Sequence, residues 1–98
     1  MDVYFLYRGQ TFVWDGRKAI ENRTKHGIAF ETACEAFFDD FSMYLDATSG
    51  EERRAALIGS TKTRNLLYVV HVEWERDEVR IISARVATKQ ERRRYEDG

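Results

Sequence analysis

The chain has 98 residues, of which 43% are hydrophobic, and a formal net charge of −1. This length predicts one domain over residues 1–98 and excludes two. No apolar run is long enough to span a bilayer and the first residues do not form a secretory signal, so we expect a cytoplasmic protein. Cys34 is the only cysteine, which excludes an internal disulfide.

The first part of the chain predicts two strands followed by two helices. Aromatic and β-branched residues in 3–14 surround a glycine-containing turn, which favours a hairpin. Asp15 is a good N-cap for a helix over 16–26, and Gly27 is a good residue to end it. A second helix is predicted over 30–38 because apolar residues recur at helical spacing.

The rest of the chain predicts further strands and a closing helix. Strands are expected over 53–60, 66–74 and 79–86, and residues 42–47 can form another. Residues 75–78 are polar and suit a hairpin connection. Thr88 is the predicted cap of a helix over about 88–96, with Glu91 completing a capping box.

These elements define an α+β domain. Neighbouring strands joined by short turns pair antiparallel, so we predict a small antiparallel sheet with the two N-terminal helices packed on one face and a short C-terminal helix. The other sheet face is then only partly covered, and a groove can form there.

The first predicted helix has a polar stripe where an apolar one is usual. Lys18, Asn22, Lys25 and His26 fall on one helix face. Lys25 and His26 can face a groove that binds an anionic ligand. Alternatively, Lys18 and Asn22 fix the helix geometry, and His26 caps the last carbonyl groups beside Gly27, where a cation is favoured.

The last strand raises a question of side-chain direction. Alternation places Arg80 and Arg85 on opposite sheet faces unless the strand twists or bulges. In the preceding strand, alternation puts one set of side chains on one face: Tyr68, Val70, Val72 and Trp74. His71 falls on the other face and is interpreted as a core histidine, and Cys34 as a small buried apolar residue.

The residues do not form a recognised metal or phosphate motif. No His or Cys pair has metal-ligand spacing, the glycines are scattered, and no serine lies in a nucleophile elbow. We therefore expect no metal and no cofactor. Arg, Lys, His, Tyr and Glu together suit RNA phosphodiester cleavage, because arginine binds phosphate oxygens and the other side chains can move protons.

Two groups of residues resemble the signature of the BrnT toxin family. The first group is Trp14-Asp15, Lys18, Asn22, Lys25-His26-Gly27, Phe30-Glu31 and Ala33. The second is Glu52-Arg53, Ile58-Gly59, the strand 67–72, the stretch RIISAR over 80–85, Ala87-Thr88, Glu91-Arg92-Arg93 and Tyr95-Glu96. The resemblance covers about residues 12–96.

The resemblance implies a RelE-like ribonuclease toxin of a type II toxin–antitoxin pair that cleaves RNA without metal and inhibits translation. The implied partner is a BrnA-like antitoxin with a ribbon-helix-helix region, which forms a complex with the toxin, a heterotetramer being one form. The complex would contact operator DNA only through the antitoxin. No membrane partner is expected.

Seven residues are the catalytic candidates on this interpretation: Lys25, His26, Arg53, Arg80, Arg85, Arg92 and Tyr95. Some have simpler alternatives. Arg53 can form a strand-edge ion pair with Glu52, and Arg92 and Tyr95 can belong to an exposed, charged helix face. Glu91 is interpreted as a cap rather than a base.

The sequence also departs from the family pattern. Val13 stands where an acidic residue is common, and Ala29 stands where serine is frequent. The chain also has a strand over 2–8 that shorter members of the family lack. The slightly negative net charge weakens attraction to an RNA backbone. Two alternatives to the ribonuclease therefore stay open: a module that only binds the antitoxin and serves in operon repression, and an RNA-binding domain that does not cleave.

Overall fold

A computed structural model describes residues 1–73 and 77–98 of the chain. Helices and strands follow one another in the predicted order. The elements are β1 (Asp2–Tyr7), β2 (Gln10–Asp15), α1 (Gly16–His26), α2 (Phe30–Ala36), β3 (Met43–Asp46), β4 (Ala55–Ser60), β5 (Leu66–Glu73), β6 (Glu78–Val86) and α3 (Lys89–Asp97).

The six strands of the described residues form one sheet in the order β1-β2-β6-β5-β4-β3. The α+β prediction is confirmed, and strands that follow each other through short connections pair antiparallel. β2 and β6 pair in parallel, over residues 11–13 and 78–80, so the sheet is mixed. These two strands are far apart in the sequence, and no tight turn forces them to run in opposite directions.

The local helix signals are confirmed. The Asp15 carboxylate accepts hydrogen bonds from the backbone N–H groups of Arg17 and Lys18 at 2.8 and 3.2 Å, which caps the start of α1. Gly27 ends the helix in the left-handed conformation, at φ 72°. At α3, the side chain of Thr88 and that of Glu91 complete the predicted capping box.

Some predicted boundaries differ. α2 ends at Ala36 rather than at 38, and β4 begins at Ala55 rather than at 53, which leaves Arg53 in a loop. The predicted positions of Trp74 and of residues 75 and 76 of the connection lie outside the described residues. β6 begins at Glu78, within the stretch predicted as the connection.

Helices α1 and α2 pack on one face of the sheet and bury the core. The core cluster joins residues of α2 to one face of β2, β4, β5 and β6. α2 lies directly on Gly59, where an added Cβ would collide with the carbonyl oxygen of Ala36. The close packing of helix on sheet therefore depends on the absence of a side chain at 59.

His71 and Cys34 are core residues, as predicted. His71 is fully buried between the rings of Phe37 and Tyr44, and its Nδ1 lies 3.2 Å from the carbonyl oxygen of Val69. The Cys34 thiol donates to the carbonyl oxygen of Phe30, and burial raises its pKa. A thiol in this state is poorly nucleophilic.

Candidate active site

β6 contains a β-bulge. Val70 of β5 pairs with Ser83, whereas the next residue of β5, His71, pairs with Ile81. The register therefore passes over Ile82, which is the extra residue of a bulge. The alternation of side chains along β6 shifts by one residue at this point.

The bulge brings two arginines to the same face. Arg80 pairs with Val72 and Arg85 pairs with Tyr68, and both partners lie on one face of β5. The simple alternation that assigned Ala84 to the face of Arg80 is wrong, since Ala84 is fully buried on the helix side. Arg80 and Arg85 are separated by about 13 Å along the strand.

We call the sheet face opposite α1 and α2 the open face. Its centre carries Arg80, Ser83 and Arg85 of β6 beside Tyr68 and Val70 of β5. All five are intermediate in exposure. The predicted, partly covered second face is therefore present, and α3 borders it at the end of β6.

Arg85 is held chiefly by Glu91 and Tyr68. Its Nη1 and Nη2 donate to the two carboxylate oxygens of Glu91 at 2.8 and 2.9 Å. Its guanidinium also lies over the ring of Tyr68, 4.2 Å from the ring centre. The hydrogen bond from Arg85 keeps the pKa of Glu91 below its ordinary value. The Arg85 side chain is 34% exposed, so the N–H groups that do not point at Glu91 can donate to an oxyanion from this fixed orientation.

Arg80 also has a carboxylate partner. Its Nη1 and Nη2 donate to Asp2 Oδ1 and Oδ2 at 3.2 and 2.6 Å. The hydrogen bond lowers the pKa of Asp2. Asp2 belongs to β1, so the first strand of the chain supplies a negative charge to the middle of the open face.

The polar stripe on α1 has a structural centre. Asn22 is buried, and its Nδ2 donates to the carbonyl oxygens of Ile28 and Ala84 at 3.0 and 2.9 Å. Its Oδ1 accepts from the N–H of Ala84 at 3.0 Å. Because β2 pairs with β6 only as far as Arg80, the carboxamide of Asn22 serves as the hydrogen-bonding partner of β6 beyond that point.

The charged members of the stripe lie around Asn22. Lys18 and Lys25 are exposed, and His26 is half-buried at the end of α1. Among the described residues, no hydrogen bond or ion pair joins Lys25 or His26 to Arg80 or Arg85. Their catalytic roles stay predictions.

Arg53 lies in the loop before β4, toward the opposite end of the sheet from Arg85. It is exposed and lines a cavity of about 820 Å³ with residues of β3 and β4. Glu52 pairs with Arg54, at 3.1 Å. The loop therefore forms a Glu52–Arg54 ion pair in place of the Arg53–Glu52 ion pair considered as an alternative.

The two candidates on α3 differ in environment. Arg92 is exposed. The Tyr95 hydroxyl donates to Asp39 Oδ2 at 2.5 Å, and the same oxygen accepts from the N–H of Ser60 at 2.8 Å. Burial and the bond to Asp39 raise the pKa of Tyr95 to about 12. The phenol is therefore protonated near neutral pH and ties α3 to the end of β4.

Sequence reasoning missed the partners of the two arginines. Tyr68 and Asp2 were not among the candidates. The adjacency of β5 and β6 was predictable, but the pairing of Tyr68 with Arg85 depends on a register that short-range signals do not determine. Asp2 lies 78 residues from Arg80, and no local pattern joins them.

The chain forms a small α+β domain with helices on one face of the sheet and, on the other, two oriented arginines, a side chain suited to phosphate groups. Residues 14–91 match the family model described as "Ribonuclease toxin, BrnT, of type II toxin-antitoxin system". The chain belongs to this family of ribonuclease toxins, whose type II systems pair the toxin with a protein antitoxin. A comparison with curated proteins found no match.

Among the described residues, no helix has the length and apolar composition of a membrane span. No group of three or more His, Cys, Asp or Glu side chains in residues 1–73 and 77–98 is placed to hold a metal ion.

Proposed function

We propose that this chain is a metal-independent endoribonuclease that cleaves RNA on the open face and so inhibits translation. The observation that supports this most directly is the β6 bulge, which brings Arg80 and Arg85 to one face beside Tyr68. An RNA strand can place two of its phosphates on the two guanidinium groups.

The proposed reaction needs charge stabilisation and two proton transfers. The ribose 2′-oxygen loses its proton and attacks the adjacent phosphorus, and the bond from phosphorus to the 5′-oxygen breaks as that oxygen gains a proton. Arg85 neutralises the charge that builds up on the non-bridging oxygens. This role fits a guanidinium already oriented by Glu91 and Tyr68.

His26 is the imidazole best placed to transfer a proton. His71 is fully buried in the core, whereas His26 is half-buried at the end of α1. Asn22, about one helical turn earlier, bonds to Ala84, the residue next to Arg85. In our proposal, RNA crosses the part of β6 beyond its pairing with β2, where α1 adjoins the strand, and so contacts both Arg85 and His26. Lys25 and Arg92 would contact flanking phosphates.

A BrnA-like antitoxin with a ribbon-helix-helix region is the proposed partner. The family's type II systems pair each toxin with a protein antitoxin. In our proposal the two proteins form a heterotetramer that contacts operator DNA only through the antitoxin. Co-purification with a ribbon-helix-helix protein encoded beside the gene, followed by mass measurement of the complex, tests the partner and the stoichiometry.

A second candidate function is a non-catalytic module that binds the antitoxin and serves only in operon repression. Both open-face arginines are paired with carboxylates of the chain itself, and the net charge is −1. Both features weaken attraction to an RNA backbone.

Incubation of the purified protein with RNA in excess EDTA separates the two candidates. Cleavage that persists in EDTA and is lost in Arg85→Ala supports the ribonuclease. Cleavage that EDTA abolishes contradicts metal independence. Intact RNA under every condition, together with binding of the antitoxin, supports the repression module.

A further inference from the structure

The bond between Arg80 and Asp2 has the geometry of phosphate recognition. Two Nη atoms of one guanidinium donate to two oxygens of one anion, at 3.2 and 2.6 Å. A phosphodiester presents a similar pair of oxygens to an arginine. The Asp2 carboxylate therefore occupies the position in which the guanidinium of Arg80 would hold an RNA phosphate.

Asp2 is fixed in that position by the backbone around it. It is the first residue of β1 to pair with β2, and its partner there is Asp15. On the other side, the carbonyl oxygen of Met1 accepts from the N–H of Gly16 at 3.0 Å. The carboxylate is thus tethered beside Arg80 at a high effective concentration.

The position of β1 does not depend on this ion pair. All six residues of β1 pair with β2, and Phe5 and Tyr7 pack against the core. The Asp2 side chain is 39% exposed, and ion pairs at such positions contribute little to stability. Moreover, β1 lies outside residues 14–91, the part of the chain that matches the family.

We propose that Asp2 is a built-in competitor for the phosphate position at Arg80, so that β1 lowers the affinity of the open face for RNA. This inference rests on the proposed function, since it assumes that RNA binds on this face. RNA has to displace the Asp2 carboxylate before Arg80 can contact a phosphate.

The test measures binding without cleavage. A fluorescein-labelled oligoribonucleotide with 2′-fluoro sugars lacks the attacking hydroxyl, and its Kd is measured by anisotropy over a range of salt concentrations. The variant is Asp2→Asn, with an affinity tag only at the C-terminus. Asp40→Asn is the matched control, because Asp40 is exposed and its loss changes the net charge equally.

Asp2→Asn should lower Kd by about threefold or more relative to Asp40→Asn, because it removes the carboxylate that competes with a phosphate for Arg80. The slope of log K against log salt should become steeper by about 0.7, the value for one added contact to a single strand. In an Arg80→Gln background, Asp2→Asn should have no more effect than Asp40→Asn. Thermal unfolding checks that each variant is folded.

Equal effects of Asp2→Asn and Asp40→Asn would overturn the inference, as would a gain that persists in the Arg80→Gln background. Absence of binding by every variant would overturn it too. Asp2-dependent binding by a protein that cleaves no natural RNA would contradict the ribonuclease proposal and leave this inference standing.

Discussion

The carboxylate of Glu91 accepts hydrogen bonds from two groups: from both Nη atoms of Arg85, at 2.8 and 2.9 Å, and from the backbone N–H of Thr88, at 2.9 Å. One carboxylate therefore fixes both the start of α3 and the orientation of Arg85 on the open face. A change at Glu91 acts on helix capping and on the candidate active site together.

Arg85→Ala should abolish growth arrest on expression and reduce RNA cleavage by about 10²- to 10³-fold, the usual cost of one group that stabilises transition-state charge. Arg93→Ala is the control, since Arg93 is exposed on α3 and carries the same charge. Circular dichroism establishes that both variants are folded. A folded Arg85→Ala protein with full toxicity would remove this residue from the mechanism.

Glu91→Gln should lower the free energy of unfolding by about 1 kcal/mol at pH 7. Glutamine can still complete a capping box, so the substitution isolates the charge that faces Arg85. Urea unfolding measures the loss, with Glu96→Gln on the exposed side of α3 as control.

The difference between wild type and Glu91→Gln should also depend on pH. The hydrogen bond from Arg85 lowers the folded-state pKa of Glu91 below its ordinary value of 4.5. Its stabilisation is therefore complete above 4.5 and is lost as the pH falls through the folded-state pKa. A difference that stays constant from pH 7 to pH 3 would show that the ion pair is not its source.

Asn22→Ala should lower the free energy of unfolding by about 2–3 kcal/mol, because it leaves the N–H and C=O of Ala84 without their side-chain partner in a buried place. Lys18→Ala, on the same helix face but exposed, should change stability by less than about 0.5 kcal/mol. Equal losses from the two substitutions would contradict the role assigned to the carboxamide.

Tyr95→Phe tests whether the hydroxyl acts in structure or in catalysis. Loss of the bond to Asp39 should cost about 1 kcal/mol of stability, measured by urea unfolding. With a pKa of about 12 the phenol stays protonated near neutral pH, and its hydrogen is donated to Asp39, so the RNA cleavage rate of the folded variant should fall less than threefold. A rate loss of a hundredfold in a folded protein would place the hydroxyl in the reaction.

The helix ends were predictable because their determinants are local. Asp15, Gly27 and the Thr88–Glu91 capping box act within three or four residues, and all three formed as predicted. Side-chain direction in β6 was not predictable in the same way. The bulge at Ile82 is a property of the pairing with β5, and alternation read along a single strand cannot reveal it.

The candidate site was predictable by residue type but not by arrangement. The arginines of β6 were singled out by their chemistry, whereas their partners Asp2 and Glu91 were not recognised as such. Asp2 reaches Arg80 only because the parallel pairing of β2 with β6 leaves a single strand, β2, between β1 and β6. Strand pairing between residues so far apart in the sequence cannot be predicted from a short sequence window.

The sheet order has a consequence for synthesis on the ribosome. β1 and β2 have no other strand to pair with until β6, the last strand to be translated, inserts between β2 and β5. A two-stranded hairpin by itself is at best marginally stable. The nascent chain therefore cannot assemble its arginine-bearing surface until translation is almost finished, so under the proposed function an incomplete copy would not cleave the RNA that encodes it.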